Sequence, residues 1–375
     1  QLSGGIGYSA SSSFMLNGSY ADSNFMGTGK RVAFELNTGK YAKVLSFSNT
    51  DNYLTINNIS RTYSLRYSDV TQFVSASSDF SSKSISGGLE FGYPISEVQG
   101  LRFGVNVTRS ELLTTSSGSA LQAQNWVQQN GKPYSRSAVD DYGNIFEFFG
   151  SKYTGFELSA GWYLQSLNRG LFPDRGQRQM LTLSSSIPGT SIEYWVADYN
   201  FVQYIPIWRR LTGMVNLRAS YGDSFGSTTA LPPYRLFFGG GPDTVRGYRE
   251  SRLGPKDNYG NPYGGNLLVV ARSELIIPMP EKFQSSARVS LFYDIGNVFS
   301  TNNNVQFYGQ DGLTPVTYKF KYSSLRRSAG LSVEWLAPLG LFRFSYGVPL
   351  NPQKGNGVIF PDEKEKFQFS VGQAF

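Results

Sequence analysis

One arginine and two carboxylates in the C-terminal half of the chain have the types and setting for ion-pair chemistry. Arg246 lies in the stretch FFGGGPDTVRGYRESRLGPKD, between Val245 and Gly247, within a long connection that shows little strand or helix periodicity. Glu274 falls in NLLVVARSELIIP and Asp294 in ARVSLFYDIGNVF. A guanidinium presents fixed donors that match carboxylates in pairs, a geometry an ammonium cannot reproduce. Should the connection fold back on these strands, Arg246 would supply the cation that two neighbouring carboxylates need. The glycines at 239–241 and Gly247 allow the close backbone approach this requires. Spacing alone leaves the alternative of a solvated arginine in an outer loop.

Catalytic chemistry has little to work with. The chain of 375 residues has no cysteine and no histidine. That removes thiolate and imidazole metal sites, a Ser-His nucleophile and a histidine general base. No catalytic residue, no metal and no cofactor are therefore expected, and the chain is not read as an enzyme. The net charge of +7 comes from 34 Lys and Arg against 27 Asp and Glu. These cations are dispersed, with the densest pairs, Arg209-Arg210 and Arg326-Arg327, in separate segments, whereas a nucleic-acid footprint needs clustering. A basic lumen or rim facing anionic lipid head groups accounts for the charge, and no nucleic-acid partner is expected.

The elements that must position Arg246 and its carboxylates are strands. Aromatics make up 15% of the residues and charged groups only 16%, with 41 Gly, 24 Tyr and 28 Phe. Such a composition suits pleated surfaces and turns. The recurring texture is alternation: in LRFGVNVTR, Leu101, Phe103, Val105 and Val107 alternate with Arg102, Gly104, Asn106 and Thr108. The same period of two marks about sixteen strands, near residues 3–10, 12–21, 30–38, 41–49, 59–69, 84–94, 100–113, 146–165, 177–187, 191–206, 209–222, 266–277, 286–299, 325–337, 340–349 and 365–375.

From the fifth strand onward, short connections (PISEVQG, LNRGLFPDRGQ, PIWRR, PMPEKFQSS, APLG) alternate with others that include three long ones, near 114–145, 222–265 and 300–324. An even number of strands with short turns at one end and long loops at the other predicts an all-β, 16-stranded antiparallel transmembrane β-barrel. No apolar run reaches the roughly 18 residues of a membrane-spanning helix. A soluble sandwich or propeller is the alternative, but neither a repeat of about 40–50 residues nor a dry two-sheet core is evident. Sixteen strands enclose more space than side chains fill, so the lumen is expected to be polar and wet.

Parity then assigns faces. With Leu267, Val269, Ala271, Leu275 and Ile277 outward, Arg272 and Glu274 point inward; with Val289, Leu291, Tyr293 and Ile295 outward, Asp294 points inward. The two carboxylates thus sit on adjacent strands facing the lumen, within reach of a loop that enters it.

The stretches GGGPDTVRGY, GPKD, GGN and SELIIPMP together resemble the sixth extracellular loop and the strand after it in the BamA family of outer-membrane protein assembly factors. FYDIGNVF, GLSVEWLAPLGLFRFSY, FQFSVGQAF, LNRGLFPDRGQR and GGIGYS extend the resemblance over nearly the whole chain. What it implies is a barrel in the bacterial outer membrane whose sixth loop, about 222–265, folds into the lumen. The arginine of the family's VRG[FY] segment (Val245, Arg246, Gly247, Tyr248) would meet the acidic residues Glu274 and Asp294. Tyr248 stands where the family more often has Phe.

The resemblance further implies folding and insertion of client outer-membrane proteins through a weak seam. Its edges would be the first strand (Gly4, Gly5, Ile6, Gly7, Tyr8) and the last (Phe367, Phe369, Val371, Gly372, Phe375). Glycines weaken strand interiors, although curvature or close packing would equally account for them. In the family, periplasmic POTRA domains precede the barrel and recruit substrates and lipoprotein partners. None is present in residues 1–375, which are expected to form a single barrel domain, a mature fragment set in outer-membrane lipid and lipopolysaccharide. The alternative class is a two-partner-secretion barrel that exports one extended polypeptide.

Overall fold

The computed structural model describes residues 2–9, 13–39, 42–75, 78–116, 118–139, 145–208, 211–338 and 340–372. Sixteen antiparallel strands, each hydrogen-bonded to its neighbour in sequence, curl into a nearly closed barrel. They are β1 (Leu2–Ser9), β2 (Ser13–Asp22), β3 (Arg31–Gly39), β4 (Ala42–Asp51), β5 (Ser60–Ser75), β6 (Ser78–Ser96), β7 (Gln99–Thr115) and β8 (Ile145–Gln165), then β9 (Gly176–Ser186), β10 (Tyr194–Trp208), β11 (Leu211–Ser224), β12 (Leu267–Ile277), β13 (Ala287–Phe299), β14 (Arg326–Ala337), β15 (Gly340–Pro349) and β16 (Phe367–Gly372). Among the described residues no helix is long and apolar enough to cross a membrane, which is no constraint on a barrel that crosses with strands.

The alternation read from the sequence becomes an outer apolar wall and an inner polar one. On β13, Leu291 and Tyr293 are exposed on the outside while Arg288, Ser290, Phe292 and Asp294 are buried inside. Leu65, Phe103 and Leu158 are likewise exposed on the outer wall. So large an apolar surface would be a liability in water, but in a bilayer it is the buried face. Curling the sheet gives every strand from β2 to β15 a paired neighbour on both sides, as hydrocarbon demands of backbone polar groups.

Strand length is uneven around the wall. β1 to β4 have 8 to 10 residues, close to the roughly 9–11 that a tilted strand needs to span a bilayer. β5 to β8 have 16 to 21 and continue beyond that thickness. Residues 70–83, which the sequence predicts as a connection, are largely ladder, with Thr71 opposite Ser81 and Phe73 opposite Asp79. A Ser- and Asp-rich run reads as loop by composition, yet polar side chains do not prevent pairing once a hairpin has left the membrane.

The long loops build a roof over the lumen. Within the connection from β7 to β8 lie a helix, α1 (Leu121–Gln129), and an additional strand, Lys132–Val139, that pairs with residues 145–152 of β8. α1 buries Gln122, Ala123, Trp126 and Val127. Trp126 donates its indole N–H to Ala230 O at 2.8 Å, and Gln122 donates to Gln306 O at 3.0 Å. These bonds tie α1 to the loops after β11 and β13. At the opposite end, the turn after β8 folds under the barrel, where Arg288 on β13 donates to Pro173 O at 2.7 Å.

Candidate functional site

Loop 6, between β11 and β12, descends into the lumen as a bent hairpin. Its arms are joined by reciprocal backbone bonds between Phe237 and Gly265 (2.8 and 3.0 Å) and by a further bridge from Gly239 to Leu253. Gly240 has φ +94°, and a Cβ there would lie 2.3 Å from Arg249 O, so only glycine fits. The descent brings Val245, Arg246, Gly247 and Tyr248 against the inner wall. All four are buried.

The register of β12 and β13 prepares the receiving site. Arg272 is opposite Asp294 and Glu274 is opposite Phe292, so the two carboxylates sit diagonally on one face with an aromatic ring between them. Arg246 fills that gap, its guanidinium 3.6 Å from the centroid of the Phe292 ring. Its Nε donates to Asp294 Oδ2 at 2.8 Å and its Nη2 to Asp294 Oδ1 at 2.7 Å, while Nη1 donates to Glu274 Oε1 at 2.7 Å. The Arg246 backbone N–H adds a bond to Asp294 Oδ2 at 3.1 Å.

Burial makes this charge arrangement consequential. Arg246 is 2% exposed and Asp294 fully buried. Such charges are tolerable only when paired and fully hydrogen-bonded. Arg272 completes the balance, 3.5 Å from Glu274 and 3.8 Å from Asp294, so two cations face two anions. Ser290 donates to the remaining Glu274 oxygen at 2.9 Å.

The residues after Arg246 engage the neighbouring strands β14 to β16. Gly247, at φ +85°, lies directly on β15: a Cβ there would be 2.9 Å from Gly347 O. Gly247 and Tyr248 pair antiparallel with Glu365 and Lys364, just ahead of β16. The Tyr248 hydroxyl donates to Arg327 O on β14 at 3.3 Å, a bond that phenylalanine could not make. Above this, Glu363 receives Arg249, Arg252 and Lys256 at 3.0, 2.5 and 3.2 Å. Burial pushes the Glu363 carboxyl up, but the Arg252 hydrogen bond and the Lys256 charge outweigh it and hold it below its ordinary value. Burial lowers the Lys256 ammonium, against the pull of Glu363.

Three contributors escaped the sequence reading: Phe292 beneath the guanidinium, Glu363 in the loop before β16, and Gln368 on β16. Parity carried a signal for Gln368, which alternates with Phe367 and Phe369 and so faces inward. Nothing local marked Glu363, whose partners lie more than a hundred residues away.

Because β12 can hold Arg246 only with an anion at this position, Glu274→Lys is expected to place three cations around Asp294 and expel loop 6. The variant should fold, if at all, with loop 6 open to protease. A heat-resistant Glu274→Lys barrel with a protected loop would remove Glu274 from the lock.

The second candidate feature is where the barrel meets itself. Elsewhere in the wall, neighbouring strands share from six register pairs (β15 with β16) to seventeen (β7 with β8). β1 and β16 share one, Tyr8 opposite Val371, among the described residues. β1 is paired along its whole length with β2, from Leu2 opposite Tyr20 to Ser9 opposite Ser13, with Gly4 opposite Gly18, Gly5 opposite Asn17 and Ile6 opposite Leu16. The expected seam residues Gly4, Gly5, Ile6, Gly7 and Tyr8 therefore line one edge, and Phe367, Phe369, Val371 and Gly372 the other. Phe375, and Ala10 at the end of the predicted first strand, lie outside the described residues.

Comparison with known proteins gives consistent likenesses. The Omp85 superfamily domain matches residues 24–375. The outer membrane protein assembly factor BamA of Neisseria meningitidis is 28% identical over 98% of this chain, which covers 46% of that protein. The chain thus spans about half the length of the curated relatives it matches. Among solved structures, BamA from Haemophilus ducreyi lacking POTRA domains 1–3 superposes with a TM-score of 0.84 at 26% identity, covering all of this chain and 70% of that one. CdiB from Acinetobacter baumannii, at 11% identity and a TM-score of 0.51 over 99% of this chain and 59% of that one, shares the fold alone.

Proposed function

The chain belongs to the Omp85 superfamily, and from that premise we propose that it is the barrel of an outer-membrane assembly factor that folds and inserts client β-barrel proteins. It sits in the bacterial outer membrane as an integral barrel. The observation that carries the reading is the seam, where β1 and β16 share one register pair among the described residues, Tyr8 opposite Val371. An unsatisfied strand edge is a template for another chain's strand, and in lipid its unmet hydrogen bonds make pairing strongly favourable. Parting β1 from β16 would offer a client two such edges, and no nucleotide or cofactor is needed for the exchange.

The lock has a structural part in this scheme. By entering the lumen and tying itself to β12 and β13, loop 6 holds the wall while the seam works. The infolded loop also weighs against export of an extended polypeptide, which would need loop 6 and the roof of α1 to withdraw. Clients are outer-membrane proteins. Lipoprotein partners, engaged through POTRA domains, and outer-membrane lipid and lipopolysaccharide complete the proposed set.

Reconstitution tests the reading. Full-length protein with its accessory lipoproteins in lipid vesicles is expected to convert an added unfolded barrel protein into a heat-modifiable, protease-resistant form. Passage of an extended polypeptide into the vesicle without such conversion would instead favour a secretion barrel.

A further inference from the structure

Loop 6 is attached to more of the barrel than its arginine reaches. Gln368 on β16 is 4% exposed and turns its side chain inward. Its Oε1 accepts the Gly247 N–H at 3.2 Å and its Nε2 donates to Tyr248 O at 2.7 Å. One planar amide thus behaves as a strand residue would, accepting from one residue and donating to the next. It extends the ladder that Lys364 and Glu365 make with the same two loop residues. Two further bonds run alongside it: the Arg249 N–H to Glu363 O at 2.9 Å, and the Gly347 N–H to Lys366 O at 2.7 Å. Backbone contact between Gly247 and Gly347 closes the set on β15.

These attachments are unequal across the seam. Arg246 fastens loop 6 to β12 and β13, and Gln368 fastens the same loop to β16, with Gly247 packed against Gly347 of β15. Among the described residues β1 shares eight register pairs with β2 on its other flank and one with β16. That one pair, at Val371, lies beyond Gln368 toward the chain end.

We propose that Gln368 is a positioning residue that braces the last strand against loop 6, so that the seam parts by movement of β1 while β16 stays fixed down to residue 368. This rests on the reading that the seam parts at all. It adds which edge is stationary and which group makes it so. A client strand would then be offered one edge held in a fixed register by loop 6 and one edge that swings away. Register is poorly specified at a free edge, so a fixed edge gives the incoming chain a defined set of backbone partners.

Residues 1–375 have no native cysteine, so within the barrel paired spin labels attach only where cysteines are introduced. In full-length protein in lipid vesicles, label pairs are placed at the outward, exposed positions Ile6, Phe367 and Leu291 on β1, β16 and β13, each changed to Cys. The Ile6–Phe367 pair is expected to show a short and a long population, the Ile6–Leu291 pair two populations, and the Phe367–Leu291 pair one. Gln368→Leu, which removes both bonds, should give the Phe367–Leu291 pair a second, longer population. Gln368→Glu, which keeps the shape but turns a donor toward Tyr248 O into an acceptor, should do the same and covers the case that the leucine variant does not fold. A mobile Phe367–Leu291 pair in the parent protein would overturn the brace, as would a single unchanged population in either folded Gln368 variant. A single short Ile6–Phe367 distance throughout would instead sink the parting seam, and this proposal with it.

Discussion

Arg246→Ala is expected to release loop 6 from the barrel wall and lower the heat resistance of the folded protein. The substitution leaves Asp294, fully buried, and Glu274 with Arg272 as their one remaining close cation, at 3.8 and 3.5 Å. Removing one partner of a buried ion pair costs about 3–5 kcal/mol, because the surviving charge stays desolvated. Loss of the guanidinium over Phe292 adds to this, since cation–π contacts between desolvated groups are worth about 2 kcal/mol.

The bonds made by Gly247 and Tyr248 to β14 and β16 would remain, so the barrel should persist while its interior loosens. Protease cleavage within residues 239–257 and the temperature at which folded gel migration is lost report the two effects separately. Unchanged protection and unchanged heat resistance would count against the lock. Arg246→Lys should fall between parent and alanine variant, because a lysine keeps the charge but cannot reproduce the two-pronged grip on Asp294. Removing Arg246 and Asp294 together should be less damaging than the sum of the single changes, the signature of a direct pairing.

The second large effect is expected from closing the seam. Tyr8 and Val371 are direct antiparallel partners, and opposed residues in such ladders have Cα atoms about 4.5–5.5 Å apart, inside the range a disulfide spans. With no other cysteine in residues 1–375, the pair Tyr8→Cys and Val371→Cys can form one defined bond within the barrel. Oxidised full-length protein should insert no client, reduced protein should regain activity, and each single cysteine should behave as the parent. The inhibition is expected to be near complete, because a covalent closure removes both template edges at once. Full activity in fully cross-linked protein would refute insertion through this seam.

How much of this was legible beforehand follows from the range of each interaction. Period-two alternation placed all sixteen strands, because which face a side chain occupies in a barrel is fixed by local geometry. The same parity turned Glu274 and Asp294 inward on neighbouring strands. The roof was not legible: α1 is a short, glutamine-rich helix whose position depends on partners at Ala230 and Gln306, contributed by other loops.

Strand positions, their inward and outward faces, and the ion-pair chemistry open to Arg246 can all be read from residue order alone. That Arg246 meets both anions at once, that Phe292 lies beneath it, and that Gln368 grips the same loop from β16 came only with the folded chain. The physical reason is distance along the chain. Alternation is written in adjacent residues, whereas the Arg246–Asp294 and Gln368–Gly247 bonds join residues 48 and 121 positions apart, and their geometry exists only once the curled sheet and the infolded loop have set it.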